Sequence, residues 1–327
     1  MDIRNGKLLR QKAEERLDYA AYDPKKLTLL HGAVMVGVSL VLALLSLLIA
    51  YGVAGTGGLS GIGTRNILQT IESVLNLAYV VATPFWQIGI LFSFMCIVRR
   101  KAADNSTLLK GFQRMGPVFS LMFLQLVLYF LLAMACAYVS SFVSMMFSSK
   151  LVAMLEPVVL AMEQDPNADM YALMMQLPMK DLLVAMIPML VIFGVTCLVV
   201  MLFVSYRLRF AQYLVLDDPR MGGLAAMRQS FRLTKGHCMS LFKLDLSFWK
   251  YYLLQVLAVV LYDGAMLLPL FGVNLPMPSE WQALIFYGVY GVMVLSLAYW
   301  MRPKVEATFA LAYETVKNPP LAVYEMM

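Results

Sequence analysis

The sequence predicts an all-α, polytopic helical membrane protein with six transmembrane helices, interfacial amphipathic helices and both termini in the cytoplasm. Three observations carry that expectation. Six apolar stretches are each long enough to cross a hydrocarbon core of about 30 Å. Of the 327 residues, 61% are hydrophobic and 14% charged, with a mean hydropathy of +0.73; soluble domains carry about a quarter charged residues. The basic residues, finally, concentrate in alternate connecting segments.

In chain order, the first region is 1–26. Leu9, Ala13, Leu17 and Ala20 fall on one side of a helix, with Arg10, Glu14, Glu15 and Asp18 around the other, ahead of Asp23-Pro24. This predicts an amphipathic helix at the membrane interface. The start Met1-Asp2-Ile3-Arg4 mixes charges and the first apolar run begins only after Lys25-Lys26, so no cleavable signal peptide is expected. A membrane domain over 27–301 follows, with spans near 29–51, 74–98, 118–146, 182–204, 241–262 and 283–301, and a cytoplasmic tail over 302–327. Outer loops fall near 55–72, 148–181 and 263–282, and inner segments near 99–116 and 205–240. Gly52, Gly55, Gly57, Gly58, Gly61 and Gly63 predict a flexible first outer loop, and Asp165-Pro166-Asn167 breaks the second. Pro84 and Pro188 fall inside spans, where each removes a helix hydrogen bond.

Orientation follows from Lys and Arg. Seven precede the first span, five lie between Arg99 and Arg114, seven between Arg207 and Lys243, and three after Met301, whereas the opposite loops hold only Arg65, Lys150 and Lys180. The positive-inside rule then puts both termini in the cytoplasm. The pI near 9.0 is explained by this topology, and no nucleic-acid partner is expected.

Catalytic and metal-binding templates find little. Cys96, Cys136, Cys197 and Cys238 form no CxxC pair, which argues against a disulfide framework. His31 and His237 have no paired ligand. Met170, Met174, Met175 and Met179 could offer thioethers to Cu(I), but 26 methionines occur along the chain, which suits adaptable packing. His237, Ser240 and Asp245 share one helix, poor geometry for a triad, and the carboxylates are scattered over separate loops. No catalytic residue, metal or cofactor is assigned, and a non-enzymatic protein is expected.

Polar residues inside the spans are the remaining functional signal. Glu72, Asn76, Thr83 and Gln87 fall within about 60° on a helical wheel. Lys243, Ser247 and Lys250 share a similar arc, with Asp245 well round the helix. These eight residues define a candidate polar interior between the second and fifth spans. The inner segment supplies a cationic stripe, with Arg207, Arg209, Arg220, Arg228, Arg232 and Lys235 as candidate contacts to anionic lipid headgroups.

The run Tyr206-Arg207-Leu208-Arg209-Phe210-Ala211, then Leu216-Asp217-Asp218-Pro219, Ala226-Met227-Arg228-Gln229-Ser230, Lys235-Gly236-His237 and Leu241-Phe242-Lys243-Leu244-Asp245-Leu246-Ser247-Phe248 resembles an uncharacterised bacterial integral membrane family, domain of unknown function nine-seven-five. Lys12-Ala13 to Leu17 and Gly57-Gly58-Leu59-Ser60-Gly61-Ile62-Gly63 support the resemblance, which covers nearly the whole chain. It implies a six-span bacterial inner-membrane protein, distantly related to the membrane domain of glycerophosphodiester phosphodiesterases, without their soluble hydrolase domain. Lys250 departs from the small residue the resemblance implies there. The leading expectation is a transporter-like protein, or one that handles lipid or small solutes, in the bacterial cytoplasmic membrane. The alternatives are an interaction subunit that docks a protein partner through its cationic segment, and a lipid-acting enzyme.

Overall fold

The computed structural model describes residues 5–54, 59–147, 149–164, 179–218, 220–262 and 279–318. They are helical, with no strand among the described residues. They fall into two compact units, Met1–Ser120 with Arg209–Met327, and Leu121–Leu208.

The first unit begins with α1, Gly6–Asp18, whose start is capped by the Asn5 side chain accepting from the Leu8 amide at 3.1 Å. Leu9 and Ala13 are fully buried, because α1 packs on the C-terminal helix. Its apolar side therefore meets protein where the sequence pattern suggested lipid. The long α2, Pro24–Ala54, starts with proline at a position where a missing N–H costs nothing, and Asp23 accepts from the Lys25 amide at 2.9 Å. α3, Leu59–Val98, runs for 40 residues, about 60 Å, twice a hydrocarbon thickness. Gly52, Gly61 and Gly63 thus lie in helices, leaving only 55–58 of the expected loop, outside the described residues.

Burial divides α3. Ile67, Val74, Leu77 and Val80 are exposed, whereas Phe85, Ile88, Ile90, Phe94, Met95, Ile97 and Val98 are buried. The second set is covered by a layer of short helices, here called the base. A 3-10 helix, Asn105–Leu109, and α4, Lys110–Gln113, fold back along α3. Asp104 caps that turn, and hydrogen bonds from Ser106 and then the Thr107 amide hold its carboxyl below the usual range. α8, Ala211–Asp217, packs on α3 and on α9, Gly223–Leu233; α10, Cys238–Leu246, touches α1. The centre is α13, Arg302–Lys317, which packs on α1, α2 and α3 and buries Val305, Phe309, Ala310, Leu311, Ala312 and Tyr313. Above the base, α11 (Trp249–Tyr262), α12 (Ser279–Trp300), α2 and α3 pack in that order.

The second unit holds most of α5, Met115–Phe147, with α6, Ser149–Gln164, and α7, Met179–Leu208, where α6 packs on α7. Tyr129 is hydrogen-bonded to Ser205, and the thiols of Cys136 and Cys197 meet within hydrogen-bonding reach. Pro84, Pro157 and Pro188 sit inside unbroken helices. Residues 165–178, with Met170, Met174 and Met175, lie outside the described residues.

Four described stretches are long and apolar enough to cross a membrane: Pro24–Ser46, Asn66–Val98, Met115–Val143 and Ile187–Asp217. The number rises to six if two bent pairs each count as one span: Cys238–Leu246 with Trp249–Tyr262, bent by 68°, and Leu284–Trp300 with Arg302–Lys317, bent by 49°. The first bend interrupts the expected fifth span. There the Ser247 hydroxyl donates to the Leu244 carbonyl at 2.6 Å and the Phe248 amide to the Asp245 carbonyl at 2.8 Å, three-residue bonds that tighten and end α10.

The fold-back of α4 depends on two glycines. A Cβ on Gly89 would stand 1.8 Å from the Leu108 carbonyl oxygen, and one on Gly111 would stand 1.9 Å from that of Phe85. Gly37, by contrast, has nothing within 4 Å of such an atom. Gly89→Ala and Gly111→Ala should each lower stability by about 3 kcal/mol, while Gly37→Ala should be neutral or stabilising by up to about 1 kcal/mol. Thermal unfolding in detergent micelles reads the difference, and equal melting temperatures for all three would contradict the close crossing.

Candidate functional site

Between α2 and α3 an apolar groove of about 690 Å³ is lined by Val34, Gly37, Val38 and Val41 on one side and Leu75, Ala78, Tyr79 and Thr83 on the other. Trp86 and Phe112 close its base end, with ring centroids 6.5 Å apart. The Ser39 and Tyr79 hydroxyls bond to each other at 2.9 Å, and Thr83 donates to the Tyr79 carbonyl at 2.8 Å. The few polar groups at the groove are therefore spent internally. Its size lies within the about 300–1,000 Å³ of small-molecule sites, and its lining suits a hydrocarbon chain.

Below this floor the polar chemistry is ionic. Arg302, at the α12–α13 bend, donates to Gln87 Oε1 at 2.7 Å, to His31 Nδ1 at 3.0 Å and to Glu306 at 3.3 Å. A guanidinium cannot accept, so Nδ1 is the acceptor and His31 carries its proton on Nε2. That Nε2 has no partner among the described residues. His31 is fully buried and stacks on Trp86 with centroids 5.6 Å apart. Trp86 in turn donates to the His31 carbonyl at 3.3 Å.

A second tie lies at the other end of α13. Arg99 donates to Asp217 at 2.6 Å and pairs with Glu314 at 2.5 Å, while Tyr313, at 2.9 Å, and Lys317 share the second Asp217 oxygen. The bond to Asp217 above all holds the Arg99 guanidinium charged, its pKa pushed above the ordinary arginine range. Arg114 donates to the Val215 and Leu216 carbonyls at 2.9 and 2.6 Å, capping α8.

The two predicted polar stripes turn to separate neighbours. Glu72 is half-buried, and Asn76 is exposed and donates to the Glu72 carbonyl of its own helix. Thr83 lines the groove, and Gln87 belongs to the Arg302 cluster. Asp245 accepts from Tyr252 at 2.5 Å and pairs with Arg209 at 3.5 Å. Lys243, Ser247 and Lys250 are exposed; Lys250 stands in the first turn of α11, just past the bend, with its Nζ 5.9 Å from the Trp249 ring centre. In the packing order α12 and α2 stand between α11 and α3. Among the headgroup candidates, Arg220, Arg228, Arg232 and Lys235 are exposed, Arg207 lies over Phe203, and Arg209 turns inward over the Phe309 ring at 4.1 Å. The ties through Arg99, Asp217, Arg302 and Glu314 were not visible in the sequence, although Val305, Phe309 and Ala312 at helical spacing in the presumed tail were a signal that a face is buried there.

Described residues that are all helical, with several helices long and apolar enough to cross a membrane, mark a helical membrane protein. Residues 25–318 match the family described as Protein of unknown function (DUF975), and the chain belongs to that family. No curated protein and no solved structure matches it.

The Asp217 tie yields a direct expectation. Removing one partner of a buried ion pair costs about 3–5 kcal/mol, and Arg99, 24% exposed beside an Asp217 side chain that is 11% exposed, places this one below that range. Asp217→Asn should cost about 2 kcal/mol in thermal unfolding, and an unchanged melting temperature would remove the tie from the account.

Proposed function

We propose that this protein is a non-enzymatic, lipid-handling component of the bacterial cytoplasmic membrane, with six spans, both termini inside, and a lipid acyl chain held in the α2–α3 groove. The groove carries the reading. It is nearly all apolar, opens between two helices fit to cross a membrane and is floored by Trp86 and Phe112, so hydrocarbon is the solvent that reaches it. The crowding of Lys and Arg into the segments next to the base supports the orientation. A second reading, an interaction subunit, is favoured by α5 and α7: none of the most apolar stretch within Ile187–Asp217 is buried and 11% of that within Met115–Val143 is, which leaves wide apolar faces for a partner or for bulk lipid.

Gly37→Phe tests the first reading, because the new ring enters the groove where nothing obstructs it. Native mass spectrometry of the protein purified in mild detergent should show bound phospholipid on the wild type and at least tenfold less on the variant, at a similar melting temperature. Equal retention by both would exclude the groove as a lipid site.

A further inference from the structure

At the C-terminal end of α3 a separate pocket of about 530 Å³ opens against α1. Arg16, Tyr19, Arg100 and Lys101 line it, and no carboxylate contributes to the lining. Elsewhere in the first unit Arg99 is paired with Asp217 and Glu314, Lys304 with Glu14, and Arg302 with Glu306. Among the described residues, Arg16, Arg100 and Lys101 form no ion pair. Three like charges gathered in one concavity repel one another and raise the local positive potential.

The backbone around the pocket fits this charge. The end of a helix normally repels anions through its free carbonyls. Here the Ile97 carbonyl accepts from the Arg100 amide at 2.9 Å, that of Cys96 from the Lys101 amide at 2.8 Å and that of Val98 from Arg16 Nη1 at 3.1 Å. Those acceptors are occupied, and Arg16 is fixed in place with further donors to spare. Arg100 has φ of +57°, the one described non-glycine residue in that region. Its position closes the helix in the turn where glycine fits without strain. An arginine held there keeps a charge at the pocket against backbone preference, and such strain collects at functional sites.

We infer that this pocket binds a phosphoryl anion, either the phosphate of an anionic phospholipid headgroup or a soluble phosphate. The planar forks of Arg16 and Arg100 suit paired hydrogen bonds to phosphate oxygens, and Lys101 adds a point charge. The pocket shares no lining residue with the α2–α3 groove, so the inference stands apart from the acyl-chain reading.

The test uses the full chain in neutral detergent, with inorganic phosphate, dioctanoyl phosphatidylglycerol and dioctanoyl phosphatidylcholine as probes in calorimetric titrations. At least one anionic probe should bind, more weakly as salt rises, and the zwitterionic lipid should bind at least tenfold more weakly. Arg100→Gly, which relieves the backbone, should weaken anion binding at least fivefold with an equal or higher melting temperature, and Arg16→Gln with Lys101→Gln should weaken it at least tenfold. Binding of phosphate marks a soluble ligand, and binding of the phosphatidylglycerol alone marks a headgroup. The α2–α3 groove takes the acyl chains of either lipid, so the lipid titrations and their pocket variants are made in the Gly37→Phe background, and phosphate binding should be the same with and without that substitution. The inference is overturned if neither anion binds, if both lipids bind alike in the Gly37→Phe background, if the pocket variants bind like their parent protein, or if Gly37→Phe abolishes the binding of phosphate.

Discussion

Arg302 is the contact on which the arrangement of helices in the first unit depends. It stands where α12 bends into α13, and its guanidinium reaches α2 through His31, α3 through Gln87 and the next turn of α13 through Glu306. Arginine suits this role because it stays charged and projects donors in several directions from one plane. With that end of α13 pinned and the other held by Asp217, Arg99 and Glu314, the apolar side of α13 fills the space among α1, α2 and α3. The buried half of α3 and the floor of the groove follow from that placement.

The base also explains why a helix about 60 Å long can exist in a protein built for a hydrocarbon layer about half as thick. From Phe85 onward α3 is covered by protein, through the glycine crossing with α4 and through α8 and α13. Trp86, Phe112, Tyr299 and Trp300 lie near the change from exposed apolar surface to buried core. The ammonium of Lys25 sits 5.4 Å from the ring centres of both Tyr299 and Trp300. Amphipathic rings beside cations suit the zone between hydrocarbon and water.

The apolar spans and the family were legible in the sequence, because hydropathy over 20 or so residues is a strong signal and the block from Tyr206 to Phe248 is distinctive. The base was not legible. Residues after Met301 have mixed polarity, so α13 read as a tail, and its partners lie far off in sequence, Arg99 and Glu314 being 215 residues apart. The polar stripe on the second span was placed on one helical arc, but an arc says nothing of depth. Glu72 and Gln87 are separated by about 22 Å along the axis, so Thr83 meets the groove while Gln87 meets Arg302. The grouping around Lys250 assumed an unbroken helix from 241 to 262, and the bend after Leu246 separates that lysine from Lys243.

Hydrogen–deuterium exchange of the protein in lipid nanodiscs tests most directly whether α13 is the packed centre of a base rather than a solvated tail. The amides of Phe309 to Tyr313 should exchange as slowly as those of α2 between Val34 and Val41, with opening free energies near the global value. Exchange of the α13 amides within seconds, as in a helix lying loose in water, would contradict the account.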